Sequence, residues 1–163
     1  MLLCWNNRAG SGDSGVEYDL RAHWRIEMAS SVQLIGWAAR IAVAAILLQT
    51  LFFKFTGAEE SRYIFTTLMG PELEAYGRIG SGVVELIAAV LILIPQTAWL
   101  GSLIAVLTIL GAIFSHLTRL GIEVKGDGGL LFALALVVLV LGTLSLLLNR
   151  KDIPFISAFL PSG

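Results

Sequence analysis

The 163-residue chain is poor in charge: Asp, Glu, Lys and Arg together make up 14% of it, against 56% hydrophobic residues. A soluble domain carries roughly 25% charged residues, so this composition does not suit a water-facing surface. The formal net charge of −1 offers no basic field for a polyanion, and nothing in the chain suggests nucleic-acid binding. Cysteine is nearly absent. Cys4 is the only one, which excludes an internal disulfide, a Cys-x-x-Cys redox pair and a thiol-based quinone reductase with paired cysteines in the membrane. Histidine is scarce as well. His23 lies in a polar N-terminal stretch and His116 in an apolar run, so no pair of histidines is at hand to hold a haem between helices. No phosphate-binding loop and no spaced metal-ligand cluster occurs, so metal ligands are not expected.

Long apolar runs are what the chain does have. A bilayer core of about 30 Å is crossed by about 20 mostly apolar residues in a helix. Four segments meet this requirement, at about residues 33–55, 77–95, 98–117 and 129–148. The runs are long and show no two-residue alternation, so helix is the form that satisfies the backbone in lipid. The expected fold is all-α: a polytopic membrane four-helix bundle. Pro95-Gln-Thr is a tight turn that makes spans two and three an antiparallel pair. Between spans one and two, Tyr63, Ile64, Phe65, Leu68 and Met69 fall at helical spacing before Gly70-Pro71. This pattern predicts a short interfacial helix lying on the membrane surface, with an irregular loop as the competing reading.

Residues 1–32 are polar and glycine-rich, with no apolar core of a signal peptide. They read as a disordered tail, with Met28 as a candidate start; 33–150 form the transmembrane domain and 151–163 a short C-terminal tail. Both termini share a side. That side carries Arg8, Arg21, Arg25, Arg150 and Lys151, against Lys54, Arg62, Arg78, Arg119 and Lys125 on the other. The balance of positive charge is therefore even, or two against five if Met28 is the start, and we place the termini in the cytoplasm on the ground that Lys54, Arg78 and Arg119 belong to a site.

Glu85 stands in the middle of span two. Within about 60° of it on a helix, at 100° per residue, are Arg78, Ser81, Gly82, Ala88, Ala89, Ile92 and Gln96, while the opposite side is bulky and apolar. Small residues mark helix–helix contact in lipid, and a mid-bilayer charge costs at least ~2.5 kcal/mol. Glu85 is thus expected to face the bundle interior. Span one repeats the pattern with Gln33, Gly36, Arg40, Ala44 and Lys54, and span three with Ala98, Ser102, Ala105, Ala112, His116 and Arg119. Span four has no ionisable residue and reads as a wall. Lys54, Arg78 and His116 all lie at one membrane face, with Glu85 ~10 Å and Arg40 ~21 Å deeper at 1.5 Å per residue. The expectation is a polar pocket open on that face, Glu85 on its floor and Arg40 beneath it. Glu85 would relay a proton, His116 would donate a hydrogen bond, and Arg40, Lys54, Arg78, Ser81 and Arg119 would bind substrate. Each has a plainer reading: a register-fixing Arg40–Glu85 pair, lysine and arginine chains snorkelling to headgroups, a satisfied interfacial histidine.

The order of these motifs resembles the DoxX-like family of four-span bacterial and archaeal membrane proteins. The resemblance rests on Arg40, on Phe53-Lys54-Phe55-Thr56-Gly57, on Gly82-Val-Val-Glu85 and on Ala112-Ile-Phe-Ser-His116, and covers roughly residues 33–150. Leu51-Phe52-Phe53 departs from it, being bulkier than the glycine often found there. The resemblance implies a multi-pass protein of the cytoplasmic membrane, in contact with lipid and linked to quinone-dependent or thiol-redox complexes. No cofactor is built in. A bound quinone, a soluble oxidoreductase subunit and a second copy of the chain are the implied partners. A non-enzymatic scaffold, assembly factor or small-solute carrier is the alternative. The four-span topology predicts that single cysteines at Gln96 and at Asp127 label from opposite sides of the membrane; labelling of both from one side would overturn it.

Overall fold

The computed structural model describes the backbone of residues 13–153 and the side chains of residues 27–153 apart from Ala29 and Lys151. The chain divides into two units, residues 1–35 and 36–163. Of the first, residues 1–12 lie outside the described residues. From Asp13 onwards the backbone is helical, where the sequence reading expected a tail without structure. The physical reason is cheap propagation. Residues 16–35 contain neither Gly nor Pro, and adding residues to an existing helix escapes the nucleation cost.

The described residues form helices and turns only. These are α1 (Asp13–Thr56), α2 (Glu59–Met69), α3 (Glu74–Leu93), α4 (Ala98–Ser115) and α5 (Leu130–Leu148). A 3₁₀ turn, Pro95–Thr97, joins α3 to α4, and a wider π turn, His116–Leu120, extends α4. Among the described residues four helical stretches are long and apolar enough to cross a membrane: Ser30–Thr56, Glu74–Leu93, Pro95–Leu120 and Leu130–Leu148. These follow the four apolar runs closely.

In the second unit the helices pack with small residues inward. Val43, Ala44 and Leu47 of α1 meet Ala88, Ala89 and Ile92 of α3, Ala105 and Ile109 of α4, and Ala135 and Val138 of α5. Large apolar side chains such as Leu86, Val90, Leu107, Phe114 and Val140 point outward and are exposed. Such an apolar exterior suits lipid and not water. The closest approach is between α3 and α4. A β-carbon on Gly101 would lie 2.3 Å from the Ile92 backbone nitrogen, so only glycine fits there. Between α4 and α5 the fully buried hydroxyls of Ser102 and Ser145 share a hydrogen bond of 2.8 Å. The wall expected at α5 therefore also contributes a polar contact.

The ends of the helices are closed by specific local chemistry. Gly57, at φ +67°, ends α1. Its N–H donates to the Lys54 carbonyl and that of Ala58 to the Phe53 carbonyl, which is the Schellman pattern. Gly70, at φ +85°, ends α2. Helix α2 packs against α3 and against the π turn, with Met69 and Phe65 against Gly77. The loop from Gly121 to Gly129 turns through left-handed conformations at Gly121, Lys125, Gly126, Gly128 and Gly129. Val124 is buried beneath it, and Lys125 pairs with Glu59 of α2 at 2.7 Å.

Asp127 organises that loop. Its Oδ1 accepts from the backbone N–H groups of Val124 (2.8 Å) and Gly129 (2.9 Å), and its Oδ2 from that of Leu131 (3.0 Å). It thereby caps the free donors at the start of α5. Burial acts to raise its pKa, but the three backbone bonds and the nearby His116 together hold it below the usual carboxylate value. A carboxylate depressed in this way stabilises the fold above its ordinary pKa of ~3.9 and loses that stabilisation as pH falls through its folded value. Asp127→Ala is expected to cost about 1 kcal/mol at neutral pH. In detergent unfolding across pH, the gap to wild type should close progressively below about pH 4; a gap unchanged by acid would show that the ionised carboxylate does not make the cap.

Candidate functional site

The face of α3 predicted to be interior is the one the structure buries: Arg78, Gly82, Glu85, Ala88, Ala89 and Ile92. Glu85 retains 5% of its accessible surface. Its Oε1 accepts from Lys54 Nζ at 2.5 Å, and its Oε2 from the Thr50 hydroxyl at 3.1 Å. Lys54 and Thr50 stand one helical turn apart on α1, so a single face of that helix supplies both partners. The Lys54 ammonium also sits 5.7 Å from the centre of the Phe65 ring of α2.

Arg78 lies above this pair. Its guanidinium donates to the Lys54 backbone carbonyl, one of the carbonyls left free where α1 ends, and through Nε to Glu74 at 2.5 Å. The Phe55 ring covers Gly82, whose β-carbon would lie 3.1 Å from the ring edge. Glu85 is therefore enclosed and fully partnered. The open-floored pocket of the sequence reading is replaced by a closed cluster of Thr50, Lys54 and Glu85 beneath Arg78.

Arg40 does not belong to it. The expected Arg40–Glu85 pair is absent. The Arg40 guanidinium instead donates to Asn149 Oδ1, just past the C-terminal end of α5, and lies 5.2 Å from the Trp37 ring. Asn149 is buried and donates in turn to the Ser145 carbonyl at 2.7 Å. The reason is depth. Fourteen residues separate Arg40 from Lys54, which is ~21 Å along the helix and takes Arg40 to the opposite end of the bundle. There it meets the end of α5. Its Nε is the one buried side-chain nitrogen or oxygen without a hydrogen-bond partner among the described residues.

The remaining predicted residues are spread out. The Ser81 hydroxyl donates back to the Arg78 carbonyl at 3.0 Å, within its own helix. His116 is buried, with its ring edge-on to Phe132 and its Nδ1 2.8 Å from the Gly121 carbonyl. A carbonyl only accepts, so Nδ1 carries the proton and, in the neutral ring, Nε2 keeps a free lone pair. His116 makes no hydrogen bond to Glu85. Arg119 was expected on the His116 face but is exposed, because the π turn over residues 116–120 puts more residues into one revolution and swings it outward. Sequence reasoning missed Thr50 and Asn149. Thr50 carried a signal, standing four residues before Lys54; Asn149 lies just beyond the apolar run and carried none.

Among the described residues no group of three or more His, Cys, Asp or Glu side chains lies close enough together to hold a metal ion. Compared with family models, with curated proteins and with solved structures, the chain finds no match.

The cluster can hold charge in lipid because it is paired. Removing one member of a buried pair typically costs ~3–5 kcal/mol, mostly through the charge left behind. Glu85→Ala and Lys54→Ala should each destabilise the fold, with the double variant losing clearly less than their sum. Glu85→Ala and Arg40→Ala should instead be additive to within about 0.5 kcal/mol. Unfolding of the purified variants in detergent measures both cycles; additivity of Lys54 with Glu85 would show the pair to be unimportant.

Proposed function

We propose that this multi-pass membrane protein is a DoxX-like membrane subunit of a quinone- or thiol-linked oxidoreductase complex in the cytoplasmic membrane of a bacterium or archaeon. One observation carries the reading: Lys54 and Glu85, from two separate motifs of the resemblance, meet at 2.5 Å between two apolar helices. A carboxylate and an ammonium at that distance share a charge-assisted hydrogen bond, the kind of contact along which a proton can be handed on. Reduction of a quinone consumes two electrons and two protons. In this reading the Lys54–Glu85 pair relays two protons, one after the other and each replaced from the water at that membrane face, to a quinone headgroup docked at the Arg78 end of the cluster, the Thr50 hydroxyl keeps Glu85 aligned, and the two electrons come from a soluble partner subunit. In the same reading helix α2 rests on the membrane surface, which its exposed Tyr63 and Met69 would suit.

A second reading has its own support. Both oxygens of Glu85 and the Arg78 guanidinium are satisfied within the chain. A closed cluster of this kind also serves as a lock on helix register in a scaffold or assembly factor that binds no small molecule.

The two readings separate on binding of a short-chain quinone analogue to the purified chain. The oxidoreductase reading expects binding by wild type and a loss of about tenfold or more in Glu85→Gln and in Lys54→Met, the worth of one charge-assisted hydrogen bond. Absence of binding, or equal binding by all three, would leave the scaffold reading.

A further inference from the structure

Three of the cations at this end of the bundle have a carboxylate partner. Lys54 is paired with Glu85, Arg78 with Glu74 and Lys125 with Glu59. Arg62, in the first half of α2, is exposed, and its guanidinium makes no ion pair or hydrogen bond among the described residues. The acid one turn before it on the same helix, Glu59, is taken by Lys125. Yet the Arg62 guanidinium turns towards another cation. A β-carbon on Gly57 would lie 3.1 Å from Arg62 Nε, 3.3 Å from Arg62 Nη2 and 3.4 Å from Arg78 Nη1. Two guanidinium groups thus both pack against the residue that has no side chain, where a Cβ would crowd them.

The carbonyls at the end of α1 account for one of them, since Arg78 donates to the Lys54 carbonyl. Arg62 makes no such bond. The unpaired Arg62 fork, beside the part of the Arg78 fork not already donating to Glu74 and the Lys54 carbonyl, presents several N–H donors and one locally uncompensated charge, a set suited to a phosphate by bidentate contact. The depth fits a lipid. Gly57 directly follows the span that ends at Thr56, and the exposed Tyr63 and Tyr76 flank the region as interfacial aromatics do.

We propose that the Arg62 guanidinium, together with that of Arg78 beside it at Gly57, binds a phosphate-type oxyanion, presented there by the headgroup of an anionic phospholipid or arriving free from solution. The site shares Arg78 with the quinone reading but adds Arg62 and leaves Lys54 and Glu85 paired, so the Arg62 variants test it apart from that reading.

The test uses the purified full chain in neutral detergent, with dioleoyl phosphatidylglycerol, dioleoyl phosphatidylcholine and inorganic phosphate as probes, read by native mass spectrometry and thermal melting. Wild type should retain phosphatidylglycerol over phosphatidylcholine. Arg62→Gln should weaken that binding about tenfold, the worth of one charge-assisted contact, while Arg62→Lys, which keeps the charge but loses the fork, should fall between. Arg62 is exposed, so its variants should fold even if Arg78→Gln does not. Displacement of the lipid by millimolar inorganic phosphate would identify the free anion as occupant, and persistence of the lipid would identify the headgroup. Arg119→Gln removes a neighbouring exposed cation and should leave binding unchanged. Equal affinity in wild type and Arg62→Gln, or an equal loss in Arg119→Gln, would overturn the site.

Discussion

A carboxylate inside an apolar helix must have a cation beside it, and most of the architecture at one end of the bundle follows from meeting that need. Glu85 is reached by Lys54 only if the last turns of α1 lie against the middle of α3. That contact requires small residues between the helices, which α3 supplies at Gly82 and at Ala88 and Ala89. It also leaves the free carbonyls at the end of α1 inside the packed region. Arg78 satisfies the Lys54 carbonyl, and the turn at Gly57 satisfies that of Phe53. One buried charge thus fixes the register of two helices, the stop of the first and the place where the chain turns into α2.

The other end of the bundle solves a like problem with different material. Arg40 finds no carboxylate within hydrogen-bonding reach and takes the neutral acceptor of Asn149. A neutral partner offsets less of the cost of burying a charge than an anion does. Position makes up part of the difference. Asn149 follows the end of α5, where the free carbonyls carry partial negative charge that favours a cation, and Asp152 lies close enough to add to it. The Trp37 ring adds a cation–π contact at 5.2 Å. Two polar clusters, one at each end, leave the middle of the bundle to Val43, Leu47, Ala88, Ala105 and Val138, with the Ser102–Ser145 bond joining α4 to α5.

Much of this was legible in the sequence because lipid simplifies the code. The four spans could be read from run length, and the buried face of α3 from the segregation of small and bulky residues, residue by residue. The burial of Glu85 followed from its cost. Its partner did not follow, because a helical wheel gives direction and not depth. Arg40 and Lys54 share a face, and choosing between them required knowing that α3 meets α1 at its last turns. Thr50 was hidden because a hydroxyl in a span more often bonds its own backbone, as Thr50 also does to the Leu47 carbonyl at 2.8 Å. The outward swing of Arg119 depends on a π turn, which no periodicity announces. Asn149 needed the helix ends placed side by side.

The placement of cations also has a cause that a count of charges hides. Helices α1 and α4 end where α3 and α5 begin, so negative and positive helix ends alternate at one level of the bundle. Lys54 stands in the last turn of α1 and Arg119 in the turn that closes α4, both where a cation is favoured. Arg78 is the exception by sequence, since it lies near the start of α3, where a cation opposes that helix's own dipole. Its side chain resolves the conflict by crossing to the end of α1, while Glu74 in the first turn of α3 serves both that helix and the Arg78 guanidinium. The acid at the start of α5 is Asp127, tied to three backbone N–H groups. Each paired charge at this end therefore answers either to a helix terminus or to Glu85. Arg62 answers to neither: among the described residues its guanidinium has no carboxylate or carbonyl partner, and Arg78 is its near neighbour.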